Sequence, residues 1–99
     1  MATEDRSEYF RRRTREARIQ LAVAAEIVAN EADAFAGLLE RAAERGDATR
    51  RLGLAAVERE ISRIERRNAA RLRLPGDQPL RLERLPPFPT FDAPAATAR

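Results

Sequence analysis

The chain has 99 residues, 43% hydrophobic and 35% charged, with a formal net charge of +3. Cys and His are missing from the sequence, which excludes disulfides, thiol chemistry, the commonest general base and most zinc sites. A chain of this length forms one small domain, and because much of its apolar content is alanine, a two-helix monomer buries little surface. The composition therefore predicts self-association or burial against a partner.

No catalytic, metal-binding or glycine-rich phosphate motif occurs in the sequence. We therefore expect a protein that is not an enzyme and that has no cofactor and no small-molecule ligand. The uncharged run over residues 19–25 is far too short to cross a bilayer, and the acidic, polar start of the chain is unlike a secretory signal peptide. These features predict a cytoplasmic protein that does not contact membranes.

The first predicted helix covers residues 5–45, with Thr3 or Ser7 as its expected N-cap. At 100° per residue, one face of this helix collects apolar side chains: Phe10, Ala17, Leu21, Ala24, Val28, Phe35, Leu38, Leu39 and Ala42. A second apolar band, formed by Ile19, Val23, Ile27 and Ala34, widens the apolar sector beyond what one partner helix covers. That width predicts a second contact surface on this helix.

A break at Arg45-Gly46-Asp47 predicts a tight turn, with Gly46 ending the first helix. Asp47 is the expected N-cap of a second helix over residues 48–74, and Thr49 is the alternative. This helix carries a heptad pattern at Leu54, Val57, Ile61, Ile64 and Asn68. The asparagine has two interpretations, since it either fixes the register or oligomeric state of a coiled coil or lies near a frayed helix end.

All six prolines lie between residues 75 and 94, so the helical pattern ends there. We therefore predict a helical domain over residues 1–74, followed by an extended tail over 75–99 that is disordered towards its end. The tail is too apolar for a solvated linker. Its large apolar side chains are expected to act as a clamp: Leu80, Leu82, Leu85, Phe88 and Phe91. Because the first helix is longer than the second, residues 5–19 overhang, and we expect the tail or a partner subunit to cover Tyr9 and Phe10.

All nineteen basic residues are arginine, a bias that either reflects a GC-rich genome or favours bidentate binding of phosphate and carboxylate. Residues 50–74 hold eight arginines and three acids, whereas residues 19–49 hold two arginines and six acids. The two arms of the hairpin are therefore oppositely charged. A stripe on the second helix is a candidate phosphate-binding surface: Arg59, Arg63, Arg66 and Arg67. The alternative is a surface whose arginines pair with acids such as Glu60.

Together these patterns predict an all-α, two-helix antiparallel hairpin whose core is completed by oligomerisation or by docking on a partner. The expected function is that of a non-catalytic assembly or adaptor subunit, and its partner is a second copy or a larger protein. The expected interface residues come from both helices: Leu21, Val28, Phe35, Leu38, Leu54, Val57, Ile61 and Ile64. A nucleic-acid-binding accessory protein that uses the arginine stripe is the alternative function.

Overall fold

The computed structural model describes residues 5–75 and 79–87. Over these residues it contains two α-helices, α1 (Arg6–Ala43) and α2 (Ala48–Leu72), which pack against each other as a hairpin. The predicted all-α hairpin of one long and one shorter helix is confirmed, and the helix ends lie within two residues of the predicted ones. Both helices are rich in alanine, arginine, glutamate and leucine, the residue types with the highest intrinsic helix propensities.

The start of α1 is capped by an acid rather than by a hydroxyl. Asp5 is the N-cap, and its carboxylate accepts hydrogen bonds from the backbone N–H groups of Ser7, at 2.6 Å, and Glu8, at 3.1 Å. These bonds satisfy two of the donors that a helix leaves unpaired at its N-terminus. Ser7 is therefore inside the helix and not its cap, while the other candidate, Thr3, lies outside the described residues.

The turn between the helices depends on one glycine and one arginine. Gly46 has φ = 134°, a backbone conformation that residues with a side chain rarely adopt. The Arg51 guanidinium reaches back and donates to the carbonyl oxygens of Ala42, at 2.6 Å, and Gly46, at 3.1 Å. Asp47 occupies the predicted N-cap position but has left-handed geometry and makes no side-chain capping bond. Arg51 instead satisfies carbonyls at the end of α1.

Small residues form the contact between the helices. On α1 the buried positions are all alanine: Ala22, Ala25, Ala29, Ala32, Ala36 and Ala43. On α2, small buried residues recur every seventh position at Ala55, Ser62 and Ala69, and Ile64, Asn68 and Leu72 are also buried. Small side chains let two helix backbones approach closely, and most of the residues that the hairpin buries are these small ones. The side of α1 that faces α2 is therefore this alanine stripe and not the predicted band of large side chains.

Candidate interaction site

Four ion pairs join acids of α1 to arginines of α2 and of its C-cap along one side of the hairpin: Arg59–Asp33 at 3.4 Å, and three shorter pairs that repeat every seven residues. The three shorter pairs are Glu26–Arg73 at 2.6 Å, Asp33–Arg66 at 2.8 Å and Glu40–Arg59 at 2.7 Å. Their acids are seven residues apart, as are their arginines, and in each of the three the two residue numbers sum to 99. That constant sum is the signature of an antiparallel register without slippage. We call this row of pairs the ion-pair ladder.

Hydrogen bonds within the ladder lower the pKa of two of its acids, Asp33 and Glu40. The hydrogen bond from Arg66 is the main cause for Asp33, and a second bond from the buried Ser62 adds to it. For Glu40, the hydrogen bond from Arg59 lowers the pKa. Both carboxylates therefore stay ionised well into the acidic range, and the opposite charges of the two arms are matched across the hairpin.

Large apolar side chains of both helices share the side of the hairpin opposite the ladder. On α1, Leu21, Val28 and Phe35 each directly precede an alanine of the stripe, and on α2, Leu54 and Ile61 directly precede a small buried residue. Each acid and each arginine of the ladder, in contrast, stands four residues after one of the small buried residues of its helix. Because successive residues of an α-helix are 100° apart, a residue directly before a buried position and a residue four after it lie on opposite flanks of the helix contact. We call the flank that carries the large side chains the apolar face.

The apolar face is open on α1 and partly covered on α2. Leu21, Val28 and Phe35 are 56%, 41% and 49% exposed, whereas Ile64 of α2 is 6% exposed. The predicted residues Leu54, Val57 and Ile61 are half-buried on the same face. Leu38 is 56% exposed and follows the buried Ala36 by two residues, the same offset that Val57 and Ile64 have on α2. Five of the eight predicted interface residues therefore directly precede a small buried residue, the other three follow one by two positions, and the binding of all eight to a partner stays a prediction.

The tail returns along α2 and is held there by Asn68. The Asn68 side-chain amide donates to the carbonyl oxygen of Glu83, at 3.0 Å, and its oxygen accepts from the Glu83 backbone N–H, at 2.8 Å. Arg67 binds the Glu83 carboxylate with two nitrogens, at 2.6 and 3.0 Å, and Arg71 contacts the same carboxylate and the carbonyl of Arg81. The hydrogen bond from Arg67 lowers the pKa of Glu83. Asn68, only 5% exposed, therefore recognises the tail backbone at two points.

The observed tail differs from the expected clamp over the overhang. Leu80, Leu82 and Leu85 are exposed, and the polar contacts above hold the tail to α2. Phe10 of the overhang is 57% exposed, so the described part of the tail does not cover it. Phe88 and Phe91, the other two predicted clamp residues, lie outside the described residues. Neither sequence interpretation of Asn68 anticipated this contact, since an asparagine at a heptad position carries no sign of which backbone it will bind.

All four arginines of the predicted phosphate-binding stripe form ion pairs within the chain. Arg59 and Arg66 belong to the ladder, Arg63 contacts Glu60 at 2.7 Å, and Arg67 binds the tail. Their side chains remain 39–58% exposed, so an external anion can reach them. Phosphate binding by this stripe stays a prediction, and it requires the phosphates to compete with carboxylates already in place.

Comparison of the chain with protein-family models, curated proteins and solved structures finds no match. Within residues 5–75 and 79–87, neither helix is long and apolar enough to cross a membrane. The same part of the chain contains no group of three or more acidic side chains arranged to hold a metal ion. The functional interpretation therefore depends on the surfaces of the hairpin itself.

Proposed function

We propose that the protein is a non-catalytic assembly or adaptor subunit that acts through protein–protein contacts, with the apolar face as its docking surface. The observation that carries this proposal is the exposure of Leu21, Val28 and Phe35 beside a helix contact made of alanine. Full burial of a side chain of this size contributes about 1.5–3 kcal/mol. Docking of another helical surface on this face supplies the core that the hairpin lacks.

The partner in this proposal is a second copy of the chain or a larger protein with a complementary apolar surface. Clustered large apolar side chains on a small protein commonly mark a protein–protein contact, whereas single exposed ones do not. The cluster here follows both helices at heptad spacing, the pattern that helices use to pack against other helices. The sequence offers no histidine or cysteine for catalysis, and we propose no enzymatic activity.

Light scattering and circular dichroism on a double variant, Val28→Asp with Phe35→Asp, test the proposal. We expect the unmodified protein to have the mass of an oligomer or complex, and the double variant to have the mass of one chain. The helical signal should persist, because both side chains are half-exposed in the isolated hairpin. A control with the same charge change, Gln20→Asp with Ala56→Asp, alters exposed positions away from the apolar face and should keep the assembly intact.

The proposal fails if the unmodified protein is a cooperatively folding monomer at all concentrations. It also fails if the control dissociates as readily as the Val28 and Phe35 variant, because the effect is then general charge repulsion.

A nucleic-acid accessory role is the second candidate, favoured by the excess of arginine over acids in residues 50–74. If the four stripe arginines bind four phosphates of duplex DNA, log affinity should fall against log salt with a slope near −3.6, from about −0.9 per phosphate. The variant Arg63→Glu is the suitable test, because the partner of Arg63 lies on its own helix and the ladder stays intact. No binding to duplex or single strands at low salt would exclude this role.

A further inference from the structure

The heptad stripe of α1 continues beyond the end of α2, but its residues change from alanine to arginine. Arg11, Arg15 and Arg18 precede Ala22 and Ala25 at alternating spacings of four and three, the same spacing as in the buried stripe. These arginines therefore lie on the side of α1 that, further along, packs against α2. We call residues 6–19 the overhang, because the last residue of α2, Leu72, clusters with Ala22 and Ala25.

A cavity of about 590 Å³ occupies the place where a longer α2 would lie. Residues of the overhang and residues at and just after the end of α2 line it together, among them Phe10, Arg11, Arg15, Ile19, Leu72 and Leu74. It thus combines an apolar floor with a basic wall, and we call it the notch. Among the described residues neither Arg11 nor Arg15 has an ion-pair partner, and both are exposed.

The charge of α1 reverses between the hairpin and the overhang. Where α2 is present, α1 offers the acids of the ion-pair ladder to the arginines of α2. In residues 6–19, α1 instead carries six arginines and two glutamates. A basic helix such as α2 is complementary to the first part of α1 but is repelled by the second. The overhang is therefore complementary to an acidic helix.

We propose that the notch binds an acidic amphipathic helical segment of a partner protein, which continues the path of α2 along α1. Carboxylates of that segment would bind Arg11 and Arg15, and its apolar side chains would cover Phe10, Ile19 and Leu74. The helical form of the partner follows from the heptad spacing, which is the pattern by which α1 already accepts α2. The apolar floor favours this partner over a nucleic-acid backbone, whose phosphates gain nothing from contact with apolar side chains. This surface is separate from the apolar face, so the two proposals fail independently.

Fluorescence anisotropy of the full chain with synthetic peptides tests this inference. The probe is a labelled peptide of about 14 residues, the length of helix that matches the overhang, with leucines on one face and glutamates beside them. A matched peptide has glutamine in place of every glutamate, and a DNA duplex of about 12 base pairs serves as a competitor. We expect the acidic peptide to bind, the glutamine peptide to bind about tenfold or more weakly, and the duplex not to displace the acidic peptide.

Two pairs of variants locate the binding site. Arg11→Glu with Arg15→Glu should weaken binding by about tenfold or more, whereas Arg45→Glu with Arg63→Glu, the same change of charge at the turn and on α2, should leave it almost unchanged. Circular dichroism confirms that each variant is folded, which is expected because all four positions are exposed.

The apolar floor is tested with Phe10→Ala, which should weaken binding, against Tyr9→Ala, because Tyr9 is exposed but does not line the notch. Equal binding of the acidic and glutamine peptides, or no binding of either, would overturn the inference. Displacement by the duplex together with indifference to Phe10→Ala would show a general polyanion surface instead, which also overturns it.

Discussion

The substitution Asn68→Ala should release the tail from α2 while leaving the helices intact. It removes both hydrogen bonds to the backbone of Glu83, at 2.8 and 3.0 Å. A hydrogen bond between neutral groups contributes about 0.5–1.5 kcal/mol net, so the docked tail loses about 1–3 kcal/mol. The population of undocked tail should therefore rise about 5- to 150-fold. Helicity should not fall, because alanine has a higher helix propensity than asparagine.

Limited trypsin digestion followed by mass spectrometry measures this change. Arg81 and Arg84 lie in the docked segment, and cleavage after them requires the tail to leave α2 and enter the protease. When docking is fast relative to cleavage, the cleavage rate follows the undocked population and should rise by the same factor. Asn30→Ala is the matched control, because Asn30 accepts a hydrogen bond from Arg66 on the ladder side and does not touch the tail.

Unchanged cleavage after Arg84 in the Asn68→Ala protein would refute this reasoning. If the same variant changed the mass of the assembly instead, Asn68 would act on oligomeric state, as the heptad pattern alone suggested. Cleavage rate and assembly mass, measured on the same Asn68→Ala protein, therefore distinguish a role in tail docking from a role in oligomeric state.

Two further predictions concern the helix contact and the ion pair of the docked tail. The pKa values of Asp33, Glu40 and Glu83 are lowered in the folded state, so these carboxylates stabilise the fold fully at neutral pH, and that stability is lost as the pH falls below about 4.5. Thermal unfolding followed by circular dichroism checks this, and an equal Tm at pH 7 and pH 2 contradicts it. Ala29→Leu should destabilise the hairpin by about 1–3 kcal/mol through overpacking, whereas Ala24→Leu, at an exposed position, should change stability by less than about 0.5 kcal/mol. Equal urea midpoints for the two variants would show that the helices are not in close contact at Ala29.

The number, length and order of the helices were predictable from the sequence, whereas the packing side of α1 was not. Hydrophobic periodicity gives the greatest weight to large side chains, and it therefore singled out the band that includes Leu21, Val28 and Phe35. The contact with α2 uses alanine, whose side chain contributes little to an apolar pattern but allows a close approach. The seven-residue spacing from Ala22 to Ala43 was present in the sequence, and the acids four residues after Ala22, Ala29 and Ala36 mark it.

The partner of each individual arginine could not be predicted from the sequence either. Opposite charges on the two arms were evident, but their pairing depends on the register, which the turn and the alanine stripe set together. Arg51 shows the same limit, because its role at the turn depends on carbonyl groups that face it only once the hairpin has closed. The docking of Glu83 on Asn68 was not predictable either, because hydrophobic patterning of the tail gives weight to its leucines and phenylalanines and none to a single acid.

The repeat of the ion-pair ladder limits how this protein can change in length. Removal of seven residues from one helix shifts each acid beyond the deletion past its arginine by one step, and removal of one to six residues also turns the apolar face out of line. If seven residues are removed from each helix at the same ion pair of the ladder, every remaining acid keeps an arginine opposite it. Natural variants of this hairpin should therefore differ in length by fourteen residues, divided equally between the two arms, while the turn stays constant.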